Sequence, residues 1–331
     1  MFIIIFVLST IIFFFKASYI KLINYYIPWY EAGISREEFI KHKIIPALGQ
    51  APVLKETVTP LKKKLGDIHT YYYVNPLQEK VPVIILNNNQ NISTQKVVIA
   101  IHETNKIGGE EPCGKNIKDE MAYGRALSEK GYIVVCPTLS FTGRRQPINY
   151  WDTKQFYENY PNWSALGKDI MEISWLLDSM AISGFDVSNV AVIGHSQGAI
   201  YGLFAAALDL RIKTVIANAG FVSFKYDPNP ERWSRNKWYK ALPKIPSEFT
   251  YAEVVAAIAP RNALICNYLQ DEILVATYPY DHIKNMIEKY PSIDWLFFSE
   301  GHSFPIEVRE FAFSWLSQTF ISHTKNNHLT K

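Results

Sequence analysis

The chain has 331 residues, 48% hydrophobic and 20% charged, which excludes a disordered chain or a small disulfide scaffold and supplies one large core. Its 34 Lys and Arg against 31 Asp and Glu leave +3, too little to imply a nucleic-acid partner. Aromatic residues reach 14%, more than a core needs, and point to a pocket or an adhesive surface.

Residues Phe2 to Phe15 are apolar except for Ser9 and Thr10, and they read as a targeting or anchoring segment. As a helix this run spans roughly 21 Å, short of a bilayer core of roughly 30 Å unless it continues past Lys16 to Ile20 with the lysine snorkelling. A cleaved signal peptide is the competing assignment. It lacks a basic residue before the run and a clear cleavage site. Residues 2–20 therefore carry an expectation of membrane association or export, with the side unresolved because Lys16 and Lys21 follow the apolar run ending at Phe15.

Residues 21–65, with Pro46, Pro52 and Pro60, read as a lead-in packing on the main domain, in which Lys62, Lys63 and Lys64 mark a solvated turn or helix face. Residues 66–322 form that domain. Apolar, β-branched runs at Val81–Leu86, Val97–Ile101, Ile133–Cys136, Val190–Ile193, Thr214–Ala217, Ala263–Cys266 and Trp295–Phe298 alternate with helical stretches, and Tyr71–Val74 adds an edge strand. The alternation predicts an α/β fold: a mainly parallel sheet with helices on both faces. Ser164 caps a helix whose Ile170, Ile173, Leu176, Leu177 and Met180 form one apolar stripe ending near Gly184. Pro305 opens a closing helix with Phe311, Trp315 and Leu316 facing inward. Residues 221–258 lack a strand signal and read as a cap-like insertion after the sixth strand. Cys113, Cys136 and Cys266 have no C-x-x-C or zinc spacing and read as isolated thiols.

Gly194-His195-Ser196-Gln197-Gly198 is a G-x-S-x-G pentapeptide between a β-branched strand and a small-residue helix. Small flanking residues let the serine occupy a strained strand-to-helix turn with its hydroxyl exposed above the sheet. A serine hydroxyl is a weak nucleophile at neutral pH and requires a base, itself oriented by a carboxylate. Asp271 and His302 each follow a later strand, giving the order Ser, acid, His; Glu272 and Asp281 are rival acids. The expected oxyanion donors are the backbone N–H groups of Gln197 and, from the loop after Val97–Ile101, Thr104. Glu103 in that loop either orders it or sits near Ser196 as a substrate-binding group. Substrate contacts are also expected from the 141–163 loop, including Trp151, and from Trp233 and Trp238 in the insertion, although packing accounts better for most of these aromatics. There is no H-E-x-x-H and no dinucleotide fingerprint, so no metal or cofactor is called for.

These residues resemble the α/β-hydrolase superfamily, and within it the dienelactone hydrolase-like and acetyl xylan esterase-like branch, over roughly residues 97–320. The similar pieces are His102-Glu103-Thr104, Gly109-Glu110-Glu111-Pro112, the serine pentapeptide, Ile258-Ala259-Pro260-Arg261, Asp271-Glu272 and Gly301-His302-Ser303-Phe304-Pro305. The resemblance implies the same triad of Ser196, Asp271 and His302. Dienelactone hydrolases proper carry a cysteine nucleophile, so Ser196 points toward ordinary esters. The expected activity is hydrolysis of small-molecule carboxylic esters through an acyl-enzyme. A thioesterase or acyltransferase with the same triad, and an idle hydrolase fold used for binding, are the alternatives.

Overall fold

The computed structural model describes residues 33–65, 69–87, 96–114, 119–146, 152–221, 251–273 and 290–326. The apolar segment 2–20, Trp151, Asp281 and residues 222–250 of the insertion, with Trp233 and Trp238, lie outside them; the end of the insertion, Tyr251–Ile258, is a helix packed in the core. Among the described residues no helix is long and apolar enough to cross a membrane.

Among the described residues nine strands form one sheet: β1 (Lys62–Lys63), β2 (Thr70–Val74), β3 (Lys80–Leu86), β4 (Val97–Ile101), β5 (Ile133–Pro137), β6 (Val190–His195), β7 (Ile212–Asn218), β8 (Asn262–Tyr268) and β9 (Ile293–Phe298), in the order β1-β2-β3-β5-β4-β6-β7-β8-β9. The first three strands and their junction to β5 are antiparallel; every pairing from β5 through β4 to β9 is parallel. The lysines expected on a turn or helix face instead make the edge strand β1, where exposed charge blunts an edge that would otherwise pair with another chain. With β1 counted, the 221–258 segment follows the seventh strand rather than the sixth.

The helices are α1 (Arg36–Phe39), α2 (Ile45–Leu48), α3 (Tyr123–Glu129), α4 (Lys154–Asn159), α5 (Ala165–Ile182), α6 (Gln197–Leu208), α7 (Tyr251–Ile258) and α8 (Ile306–Asn326), with a π-helical turn Ile40–Ile44 joining the first two. Residues of β4, β5 and β6 are buried throughout because both sheet faces are covered. Alternate side chains divide between two cores. Val97, Ile99 and Ile101 pack with Ile170, Leu176, Leu203 and Val254, whereas Val98 and Ala100 pack with Tyr123, Leu127, Val308 and Leu316. Of the side chains expected to face inward on α8, Trp315 and Leu316 are buried and Phe311 is half-buried.

Ser164 caps α5, accepting from Gly167 N–H at 2.8 Å and donating to the Leu48 carbonyl at 2.7 Å, so one side chain starts the helix and ties it to α2. Phe39, Ile44, Leu48 and Val58 enter the first core. A buried ion cluster fastens the loop after β5: Lys168 Nζ lies 2.7 Å from both Glu79 and Glu172, and Arg145 lies 2.7 Å from Glu79 and 2.5 Å from Glu172. Burial opposes ionisation of Glu172, but Arg145 and Lys168 beside it hold its carboxyl down to about 2. Removing one partner strands the opposite charges. Glu172→Ala should therefore destabilise the protein by about 3–5 kcal/mol. Urea unfolding checks this; a loss below about 1 kcal/mol would show that the buried cations find other partners.

Candidate active site

The turn from β6 into α6 places Ser196 at φ 52° and ψ −120°, a left-handed-side conformation that a non-glycine residue adopts only under strain. Crowding explains the glycines around it. A Cβ on Gly194 would overlap the Gly198 carbonyl, and one on Gly198 would overlap the Ile101 carbonyl at the end of β4. Gly220, not singled out in the sequence, has the same role from the neighbouring strand: a Cβ there would overlap Ala199 and press on the Ser196 carbonyl.

Two loops at the same carboxyl edge supply the other expected residues. After β8, Asp271 accepts from Ile273 N–H at 2.9 Å, and its other carboxylate oxygen lies 2.7 Å from His302 Nδ1. The Asp271 side chain is 2% exposed and that of His302 9%, so their bond is largely shielded from water. Asp271 orients the imidazole with Nδ1–H toward itself and leaves the Nε2 lone pair free. Glu272 is exposed, so of the two carboxylates Asp271 is the one on the histidine. The His302 ring lies 4.7 Å from that of His195, the residue preceding Ser196.

His195 is fully buried, and burial, then the neighbouring His302, hold it well below the ordinary imidazole range. Its protonation follows from Asn218 at the end of β7. Tyr268 donates to Asn218 Oδ1 at 2.7 Å, and Asn218 Nδ2 donates to the Ser303 carbonyl at 2.9 Å and reaches His195 Nδ1 at 2.7 Å. With Nδ1 accepting, the proton resides on Nε2, which lies 3.4 Å from Glu103 Oε2. Glu103, His195 and His302 each place a ligand-type atom within 4.8 Å of the others, but His195 has no lone pair left for a metal ion in this tautomer. The polar residues Asn218 and Tyr268 went unnoticed in the sequence. Their positions at the carboxyl ends of β7 and β8 are the signal that marks them.

The loop after β4 is braced from within. His102 Nδ1 lies 2.6 Å from the Glu103 carbonyl, and its Nε2 accepts from Leu139 N–H at 3.1 Å, tying this loop to the one after β5. Glu111 Oε2 accepts from Glu103 N–H at 3.2 Å and Asn105 Nδ2 at 2.7 Å. Glu103 thus stands beside the serine turn while its backbone orders the loop. Thr104 donates its hydroxyl to Gln197 Oε1 at 3.0 Å, which joins the residues expected to supply the oxyanion donors. In the 141–163 stretch, Trp163 is buried against Phe156, at 5.9 Å between ring centroids, and against Trp175, at 6.5 Å. This aromatic belongs to the core rather than to a substrate wall, and Arg145 belongs to the ion cluster.

No protein-family model and no curated protein matches the sequence. Solved structures do match. A carbohydrate esterase family 15 glucuronoyl esterase from Caldicellulosiruptor kristjansonii aligns with a TM-score of 0.60 at 16% identity, over 87% of this chain and 85% of that one. A promiscuous family 15 esterase from a marine bacterial metagenome gives 0.59 at 14%, over 88% and 91%. Acetyl xylan esterase 1 from Thermoanaerobacterium sp. JW/SL YS485 gives 0.56 at 14%, over 86% and 93%. At these identities the likeness establishes the α/β-hydrolase fold.

Burial and the neighbouring Glu103 carboxylate push the Glu111 carboxyl from 4.5 up to about 8. The folded state therefore retains a proton that the unfolded chain has lost, and stability falls as pH rises from about 4.5 to about 8. Glu111→Gln keeps an acceptor for Glu103 and Asn105 but does not ionise. Denaturant unfolding at pH 5 and pH 8.5 should show that the substitution removes a pH-dependent loss on the order of a few kcal/mol. Parallel pH curves for the two proteins would contradict the assignment.

Proposed function

We propose that this chain is a serine-dependent carboxylic ester hydrolase with Ser196 as nucleophile, His302 as base and Asp271 as the acid that orients it. The observation that carries the reading is the 2.7 Å contact between His302 and Asp271 at the sheet edge where Ser196 occupies its strained turn. Residues 66–322 would be one catalytic domain with 221–258 as its cap, and residues 2–20 would target or anchor it.

In this mechanism Ser196 Oγ attacks the acyl carbonyl as His302 Nε2 takes the hydroxyl proton. Asp271 balances the charge of the imidazolium. The carbonyl oxygen becomes an oxyanion received by the backbone N–H groups of Gln197 and Thr104, the first standing at the N-terminus of α6. Collapse expels the alcohol, which leaves with the proton from His302. Water, deprotonated by the same nitrogen, then attacks the acyl-enzyme and releases the acid.

Acetyl groups on xylan and glucuronoyl esters are the substrates to try first, since proteins named for them share this fold. Glu103, beside His195 and open to the site, would contact the substrate. A serine nucleophile in place of the cysteine of dienelactone hydrolases favours ordinary carboxylic esters over lactones.

A fluorophosphonate probe should label Ser196, and Ser196→Ala should abolish both labelling and turnover of p-nitrophenyl acetate. Unchanged turnover in Ser196→Ala would end the hydrolase reading. Asp271→Asn should lower kcat by about 10²–10⁴-fold while leaving thermal unfolding nearly unchanged. Near-parental kcat in that folded variant would remove Asp271 from the mechanism.

A further inference from the structure

A chain of side chains runs from the loop after β4 into the interior, and the two hydrogen bonds through Gln197 point the same way. The Thr104 hydroxyl donates to Gln197 Oε1 at 3.0 Å. This fixes the Gln197 amide, whose Nε2 faces the other way and donates to the Tyr201 hydroxyl at 2.8 Å. The Tyr201 hydroxyl stands near the Asp169 carboxylate of α5, whose charge adds to burial in holding the phenol protonated. Asp169 also accepts from Ser140 N–H at 2.9 Å, and the Ser140 hydroxyl accepts from Lys168 of the buried ion cluster at 2.6 Å. Gln197, Tyr201 and Asp169 are almost wholly inaccessible to water. A buried chain beside a carboxylate has few alternative arrangements, because turning the Gln197 amide over would draw the Tyr201 proton away from the Asp169 charge.

We propose that Asp169, Tyr201 and the Gln197 side chain are positioning residues that hold the Thr104 loop at a set distance from the serine turn. Their role is to keep the backbone N–H groups of Thr104 and Gln197 converged on one point. The inference rests on the ester-hydrolase reading and extends it to residues that would touch neither substrate nor triad. Donors of an oxyanion hole accelerate acyl transfer only where they already stand when charge develops, so loosening one loop should raise the barrier without weakening substrate binding. The anchor is polar where an apolar contact would pack as well, because a hydrogen bond fixes direction and apolar contact does not.

Thr104→Val keeps the size of a half-buried side chain and removes its hydroxyl, Thr104→Ser restores the hydroxyl, and Tyr201→Phe cuts the middle of the chain. Thr104→Val and Tyr201→Phe should each lower kcat about tenfold with KM within about twofold of the parent, and Thr104→Ser should retain parental kcat. Binding of a trifluoromethyl ketone analogue of the ester, which forms a tetrahedral oxyanion adduct on the serine, should weaken by the same factor as kcat. A network that merely supports the fold would lower stability and leave that affinity and kcat intact. Should Tyr201→Phe fail to fold, the Thr104 pair still decides. Parental kcat in folded Thr104→Val overturns the inference, as does a rise in KM at constant kcat. Ser196→Ala is assayed alongside. If it retains parental turnover, the hydrolase reading fails first; if it is inactive while Thr104→Val is unaffected, the positioning role alone falls.

Discussion

Ser196 is held at φ 52° and ψ −120° by a backbone so tightly folded that three glycines around it have no room for a Cβ. Such a conformation costs on the order of 1–3 kcal/mol and persists only where the surroundings leave no alternative. Here the surroundings are β6, buried on both faces, and α6, packed under it. The close approach of Gly198 to the Ile101 carbonyl ties the turn to the end of β4, and that of Gly220 to Ser196 ties it to the end of β7. Those contacts bring the loop containing Thr104 and the Asn218 network to the same edge.

Around that turn, burial determines which groups carry charge. His195 is kept neutral, and Glu111 is protonated below about 8; Asp271 lies beside His302 and Glu103 beside His195. The ion cluster of Lys168, Arg145, Glu172 and Glu79 lies beneath the loop after β5. Its contribution is to fasten that loop. The chain from Thr104 to Asp169 connects this region to the serine turn.

The parallel strands were legible because runs such as Val97–Ile101 are buried on both faces and read as continuous hydrophobics. The Asp271–His302 pair was legible because both residues follow strand runs in the order the serine pentapeptide requires. Lys62–Lys63 was misjudged since an edge strand needs backbone pairing on one side only and tolerates charge. Polar contacts between distant residues left no local pattern: Lys168 meets Glu79 across 89 positions and Thr104 meets Gln197 across 93. Asn218 and Tyr268 end β7 and β8, just beyond the apolar runs Thr214–Ala217 and Ala263–Cys266, and their side chains set the tautomer of His195. Gly220 was hidden because its constraint comes from the packing of two separate strands.

The acyl-enzyme on Ser196 is the central claim, and rapid acid quenching of the protein during p-nitrophenyl acetate turnover, followed by peptide mass mapping, addresses it most directly. The account predicts one acetyl group on the peptide that contains Ser196, accumulating within the first turnover and disappearing as substrate is exhausted. Turnover with no acyl adduct at any time point, or an adduct confined to another residue, would contradict it.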